Sequence, residues 1–346
     1  MGAALQICVV GGGSIGMRHI ACAQVSDAVD LRAVVEPDTA HRTRLADRGL
    51  PVVADLDGVP PQVSAAIIAT PTPQHAQVAS ACLDRGWAVL VEKPLTQTLS
   101  SAKALCAQAA RLGLPLITGH HRRCHPFVAQ ARADLERLGS LVTLQGIWCL
   151  HKHDSYFDVG WRQEAGAGPI MTNLSHEIDL LHYLAGPITE VSAMTSNATR
   201  GYSVEDTASV CMRFANGAVG NFIMSDAGAS PWAFEAATGE NPAIHVRGDD
   251  PLRFIGTKGA LGFPSLQMWR AHPDQPSDWQ HPLAHVPGPM QAPIDGIAVQ
   301  LEHFAAIARG QPDSLLATGA DGLRTMQVLD AIQTASQTGR IQPVTT

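Results

Sequence analysis

The sequence predicts an α/β fold in two parts: a parallel sheet wrapped by helices on both faces, followed by an α+β part built on a mostly antiparallel sheet. Three observations carry this. Short, wholly apolar runs alternate with helical patterns over the first third of the chain, a Gly-x-Gly-x-x-Gly loop follows the first run, and beyond about residue 140 strand-like segments take over, with an Asn-Gly turn among them. The 346 residues suffice for two domains, at roughly 150 residues each.

The elements follow in order. Leu5 to Val10 reads as a strand and Ser14 to Val25 as a helix. Further strands are expected at Leu31–Val35, Ala65–Ala69, Ala88–Val91 and Leu116–Thr118, with helices near Pro37–Arg48, Gln74–Arg85 and Leu99–Leu112 between them. Strands that are apolar throughout are buried on both faces, so helices should cover both sides of a mostly parallel, doubly wound sheet with right-handed crossovers. Later strand segments are Leu141–Leu150, Glu190–Ser196, Thr207–Phe214 and Ala218–Met224, the last two joined as a hairpin at Asn216-Gly217. Pro169–Ala185 has complete helix signals: Gly168 before it, proline at the first position, and Gly186-Pro187 after it. Ala271–Pro293, rich in Pro, His, Asp and Gln, is expected to be an exposed loop, and Ala298–Arg309 and Asp321–Gln337 to be closing helices. The expected domains are 1–123 and 124–346, with the closing helices able to pack back on the first.

Composition narrows the function classes. Hydrophobic residues make up 45% and charged residues 16%, which excludes a largely disordered chain. Lys and Arg number 24 against 31 Asp and Glu, a net charge of -7 without a dominant run of one sign. That argues against nucleic acid and anionic membranes as partners and for small molecules. Cysteines at 8, 22, 82, 106, 124, 149 and 211 form no Cys-x-x-Cys pair, so neither a disulfide frame nor a structural zinc site is indicated, and a reducing cytoplasm fits best. No charged start precedes an apolar run, and no stretch approaches about 18 apolar residues, so neither a secretion signal nor a membrane span is expected.

The glycine loop is the first chemical signal. Gly11, Gly13 and Gly16 have separate tasks: a tight turn, close approach of a pyrophosphate to the backbone, and packing of helix on strand. With Ser14 and Ile15 between them, they would seat phosphate on a helix N-terminus, where free N–H groups favour an anion. Glu36 lies 20 residues beyond Gly16, where its carboxylate can accept hydrogen bonds from ribose hydroxyls and repel a 2′-phosphate, so the expected cofactor is NAD rather than NADP. Thr70-Pro71-Thr72-Pro73 with Gln74-His75 forms a stiff turn at the next strand end, able to border a nicotinamide. Glu92-Lys93-Pro94 puts a lysine at another strand end beside a proline able to take a cis bond. Lys93 can polarise a hydroxyl or carbonyl oxygen there.

These blocks, together with Trp161-Arg162, Gly168 leading to His176-Glu177-Ile178-Asp179, Gly256-Thr257-Lys258-Gly259 and Phe263-Pro264, resemble the Gfo/Idh/MocA family of oxidoreductases over nearly the whole chain. The resemblance implies a Rossmann domain, then an α/β domain with a large open sheet used for homodimer or homotetramer formation. It also implies hydride transfer between NAD(P) and a secondary alcohol or ketone, usually of a sugar or cyclitol. Cofactor contacts would come from Gly11, Gly13, Ser14, Ile15, Gly16, Glu36, Thr70, Pro71, Thr72, His75, Glu92 and Lys93. Lys93 and His176 match the family's catalytic lysine and histidine.

One departure stands out. Many members have an aspartate four residues before that histidine, where this chain has Thr172, with Asn173 beside it. On a regular helix Thr172 and Asn173 lie about 40° and 60° from His176, so either neutral side chain can border the same site. His176 is then expected to be the general base for alcohol oxidation, or acid for ketone reduction, with Lys93 as electrostatic partner and Asn173 as a substrate hydrogen-bond group. Arg123, Trp161 and Arg162 match segments that often line the substrate site, and an arginine suits a polyol or carboxylate. His120, His121, His125, His151 and His153 raise a metal reading, which is set aside. His151 and His153 would share one strand face without further ligands, and His176, Asp179 and His182 drift about 120° around a helix from first to last. Two rival functions stay open: a cofactor-binding regulator without turnover, favoured by the missing aspartate, and a glycoside-cleaving enzyme that uses tightly held NAD transiently.

Overall fold

The structure is a computed structural model, and it describes residues 4–345 apart from 165, 242, 246–248, 273 and 290–293; the side chain of Trp161 also lies outside the described part. The chain divides into two compact units, Met1–Cys124 with Asp295–Met326, and His125–Ile294 with Gln327–Thr346.

In the first unit six strands, β1 (Leu5–Val10), β2 (Val29–Val35), β3 (Val52–Val53), β4 (Ala65–Ile68), β5 (Ala88–Val91) and β6 (Leu116–Thr118), form one sheet in the order β3-β2-β1-β4-β5-β6. All five pairings are parallel. This order reverses direction between β1 and β4, the switch point at which doubly wound sheets bind ligands beyond their carboxyl ends. Alternate residues of the strands feed two separate cores. Ile7, Val9, Ile67 and Leu90 pack with helix α1 (Ser14–Val25) and with Leu301 and Phe304, while Cys8, Val10, Ile68 and Val89 face Ala79, Leu83, Ala102 and Leu105. These last four belong to helices α3 (His75–Asp84) and α4 (Leu99–Leu112). The expected helix near Pro37–Arg48 is the shorter α2 (Thr39–Ala46), started by Asp38, whose carboxylate accepts the His41 N–H.

The second unit is built on a nine-stranded sheet. Its strands are β7 (Leu141–Cys149), β8 (Ile188–Ser196), β9 (Thr207–Phe214), β10 (Val219–Ser225), β11 (Leu252–Gly256), β12 (Gly259–Phe263), β13 (Met268–Arg270), β14 (Ala284–Val286) and β15 (Gln342–Pro343), in the order β14-β13-β12-β11-β7-β10-β9-β8-β15. Only β7 and β10 run parallel among these neighbours. The β9–β10 turn uses Gly217 at φ 89°, with the Asn216 side chain accepting the Ala218 N–H. One sheet face, with Leu144, Trp148, Met212, Phe222 and Phe254, is buried against α5 (Pro126–Leu135) and α6 (Ser175–Ala185) and against Val328 and Ile332. The stretch expected to be an exposed loop, Ala271–Pro293, is largely exposed but includes β14, paired to β13, and part of it lies outside the described residues. Helix α7 (Phe234–Thr238) is a short turn. The closing helices are α8 (Gly296–Ala308), in the first unit, and α9 (Gly319–Thr338), within which the division between the units falls.

The helix expected over Pro169–Ala185 is not uniform. Ile170–Leu174 is a π-turn, and regular α-helix begins only at Ser175. A π-turn spends an extra residue per turn, so the straight-helix angles expected between Thr172, Asn173 and His176 do not hold there.

Candidate active site

In the first unit, polar groups gather at the carboxyl ends of β1, β2, β4 and β5. Gly11 sits at φ +103°, and a side chain there would press on the Ala69 carbonyl at 2.7 Å; a side chain at Gly16 would run into the Gly11 carbonyl. These two glycines are required by packing. Gly13 differs. A Cβ there would meet nothing within 4 Å, and Gly13 is the N-cap of α1 with no side chain capping the helix. The leading N–H groups of α1, beside exposed Gly13 and Ser14 and half-buried Ile15, therefore face open space, the arrangement that accepts phosphate.

Glu36 hangs over this loop from the end of β2. Its Oε2 accepts the Gly12 N–H at 3.1 Å, its Oε1 accepts the Asp38 N–H at 3.1 Å, and His41 Nδ1 stands 3.2 Å from Oε2. At the end of β4 the hydroxyl of Thr70 is buried without a hydrogen-bond partner among the described residues. Orphaned buried hydroxyls are uncommon and imply a missing partner. The glycine cradle, the open helix end, the fixed carboxylate and this hydroxyl together fit a dinucleotide.

Other expected contacts have different surroundings. Pro71 is exposed and Thr72 half-buried in a short turn. His75 is buried, with Nδ1 2.9 Å from the Pro94 carbonyl and Nε2 2.9 Å from the Thr70 carbonyl. Both ring nitrogens face main-chain carbonyls, one of which its N–H can bond, so His75 packs between the Thr70 turn and the Lys93-Pro94 turn, whose peptide bond is cis. Glu92 is also buried: Oε1 meets Nε2 of His19 at 2.8 Å, and Oε2 accepts the Lys93 N–H at 3.2 Å. Burial pushes its carboxyl up, but the His19 hydrogen bond and the charges of His19, His121 and Lys93 outweigh this and hold it down to about 2. Glu92 thus anchors the turn that carries half-buried Lys93. Arg123, buried in this unit, pairs with Asp321 at 3.6 Å.

In the second unit the π-turn presents Thr172 and Asn173, and His176 follows as the second residue of α6, 8% exposed. Thr172 Oγ1 lies 3.0 Å from the Gly168 carbonyl and 2.8 Å from Asn173 Oδ1. Asn173 Oδ1 also accepts from Lys152 Nζ at 3.0 Å. Lys152 was not among the expected site residues. Its Nζ stands 3.4 Å from the Asp226 carboxylate and 4.8 Å above the Tyr156 ring. Burial pulls its ammonium below the ordinary lysine value, against the opposing pull of Asp226. No local pattern marks it: residues 151–153 lie beyond the end of β7 (Leu141–Cys149), where strand alternation assigns no face. In the structure both histidines are exposed, with Nδ1 of each turned to Ala227 O and Ser155 Oγ respectively. Arg162 donates to the Tyr156 carbonyl at 2.7 Å and stacks on the Tyr156 ring, while the Trp161 side chain lies outside the described residues. Among the described residues no three His, Cys, Asp or Glu side chains converge as a metal site.

Comparison with known proteins gives two family matches. Residues 5–120 match the model described as "Oxidoreductase family, NAD-binding Rossmann fold", and residues 128–262 match the GFO/IDH/MocA C-terminal domain. The rhizopine catabolism protein MocA of Rhizobium meliloti is 29% identical over 51% of this chain and 56% of its own. Inositol 2-dehydrogenase of Mycolicibacterium gilvum is 30% identical over 62% of each. The chain therefore spans less than two thirds of the length of these relatives. A solved levoglucosan dehydrogenase, in complex with NADH and levoglucosan, has the same fold, with a TM-score of 0.79 at 23% identity over 99% of each chain.

Proposed function

The chain belongs to the GFO/IDH/MocA family of oxidoreductases, with an NAD-binding Rossmann domain, and on that premise we propose that it moves a hydride between NAD and a secondary alcohol or ketone of a sugar, cyclitol or related polyhydroxylated compound. The observation that carries the reading is the open cradle at Gly13 beside the orphaned Thr70 hydroxyl and the fixed Glu36 carboxylate. When bound, nicotinamide supplies hydride uptake or release at its C4. The chain does the rest. Backbone N–H groups at the start of α1 hold pyrophosphate, Glu36 accepts from the ribose hydroxyls, and Thr70 borders the coenzyme. In alcohol oxidation the carbinol carbon loses hydride while its hydroxyl loses a proton. His176 takes that proton, and the Lys93 ammonium stabilises the negative charge gathering on the oxygen. Ketone reduction runs these roles backwards. Arg123, Trp161 and Arg162 are assigned to the substrate by the family resemblance, and Thr172 and Asn173 by their place beside His176 where many family members have an aspartate. Relatives named inositol 2-dehydrogenase and levoglucosan dehydrogenase support the substrate class.

The test is NADH formation across a panel of polyols and sugars. Turnover with at least one, lost by a factor of about 100–1000 in Lys93→Met while NADH still binds, is the expected outcome, since electrostatic stabilisers of this kind contribute about 100–1000-fold. Tight NADH binding with no turnover across the panel would favour a sensor, the second reading, which the neutral Thr172-Asn173 pair supports. Seven free thiols support a reducing compartment, the cytoplasm, and among the described residues no helix is long and apolar enough to cross a membrane. Large exposed apolar side chains on the outer face of the nine-stranded sheet, among them Met194, Val219, Ile223, Ile255 and Trp269, support assembly into a homodimer or homotetramer.

A further inference from the structure

We propose that Lys152 is a positioning residue that turns the side-chain amide of Asn173 so that its NH2 group faces the substrate. This point of the site then donates hydrogen bonds to an acceptor oxygen, of a carboxylate or a ketone, where a carboxylate side chain would have accepted from a hydroxyl. The inference rests on the proposed oxidoreductase function.

The argument is one of donors and acceptors. An ammonium only donates, so the amide atom 3.0 Å from Lys152 Nζ must be the oxygen of Asn173. Thr172, 2.8 Å away, can donate or accept through its hydroxyl and cannot fix the orientation alone. Lys152 decides it. A flipped amide would set an NH2 group against an ammonium, two sets of donors with no acceptor between them. The nitrogen of Asn173 therefore points away from Lys152. It has no hydrogen-bond partner among the described residues, and Asn173 is only half-buried. A positive charge at the carbonyl end also polarises the amide and strengthens its N–H donors.

Lys152 is itself held in place. Asp226 lies 3.4 Å away, and the Tyr156 and Trp148 rings lie 4.8 and 5.7 Å from Nζ. Asp226 also accepts from Arg200 at 3.0 Å, so it keeps a cationic partner if Lys152 is replaced. Loss of the lysine should leave the fold intact and free the amide.

The test compares wild type with Lys152→Met, Lys152→Arg and Asn173→Asp by NMR of the side-chain amide and by steady-state kinetics. The Asn173 NH2 signal, assigned by its disappearance in Asn173→Asp, should move in Lys152→Met and return toward its wild-type position in Lys152→Arg. Kinetically, kcat/KM for the substrate bearing the acceptor oxygen should fall about tenfold in Lys152→Met, the size of one oriented hydrogen bond, mainly through KM. A matched polyol without that oxygen should change little. A sugar acid and a neutral ketose form separate arms: loss confined to the acid identifies a substrate carboxylate, and loss in the ketose identifies the reacting carbonyl. An Asn173 signal unmoved in Lys152→Met, or a moved signal with unchanged selectivity in an active enzyme, overturns the proposal. Absence of turnover in wild type would instead count against the oxidoreductase reading, with the amide signal still deciding the orientation.

Discussion

Glu36 serves two masters with one carboxylate: it pins the glycine loop through Gly12 N–H and remains at the mouth of the cradle where ribose hydroxyls would arrive. A 2′-phosphate would bring a second negative charge close to it, a repulsion of about 4 kcal/mol at 4 Å and an effective dielectric constant of 20. Glu36→Ser should therefore raise the affinity ratio of NADPH to NADH by about tenfold or more, since a hydrogen bond to a charged group is worth about 1.5–3 kcal/mol. Fluorescence titration with both coenzymes checks this, and an unchanged ratio would remove Glu36 from coenzyme selection. The glycines and Glu36 were legible because their constraints are local or lie at a fixed spacing after a strand. Lys152 was not, because its meaning depends on Asn173, 21 residues away, and on Asp226, just beyond the end of β10. Pattern alone likewise gave no sign that His75 would sit between two main-chain carbonyls.

At the level of elements, the first turns of the sheet edge are braced from behind. His19 on α1 reaches Glu92 at the end of β5, both buried, so the helix that receives phosphate and the turn that carries Lys93 are joined by one hydrogen-bonded pair. Replacing His19 by Leu leaves a carboxylate buried without that partner, and denaturant unfolding should show a loss of about 3–5 kcal/mol. A loss below about 1 kcal/mol would show the pair to be dispensable. The acid limb has a defined sign. Glu92 is held at about 2 in the folded chain, below its ordinary value. The unfolded state therefore binds the proton more readily as pH falls, and this contribution is complete above the ordinary carboxylate range and lost as pH drops toward 2. The start and stop signals of the Pro169–Ala185 segment were readable, as they lie in single residues at its ends. The π-turn at Ile170–Leu174 was not, and no residue in it announces one.

Across the whole molecule, the nine-stranded sheet buries one face under α5, α6 and part of α9, and the side chains of its other face are largely exposed. Cross-strand neighbours place Met194, Ser209, Ile223 and Ile147 in one row of that face and Val219, Thr143, Ile255, Ala260 and Trp269 in another, with Ser192, Cys211, Asn221, Gln145 and Arg253 forming the polar row between them. Met194, Val219, Ile223, Ile255 and Trp269 are all exposed. Two apolar rows flanking a polar one, with this many large apolar side chains exposed, mark the face as an association surface. Light scattering should find a dimer or tetramer, and Ile223→Glu should shift it toward monomer while circular dichroism shows the chain still folded; a wild-type monomer would contradict the assignment. The alternation of strand and helix made the parallel sheet legible, and strand-like segments gave β7–β10 of the second; β11–β15, which are short, were not read as strands, and the grouping of Asp295–Met326 with the first unit was open, because an apolar helix face does not say which sheet it will cover. Calorimetric titration of NADH into wild type and Gly13→Val tests the central claim most directly. A Cβ at Gly13 meets nothing within 4 Å and its φ of -67° suits any residue, so the variant should fold, as circular dichroism checks. The account predicts one NADH bound per wild-type chain and none in Gly13→Val. No binding to folded wild type, or equal binding to both, would contradict it.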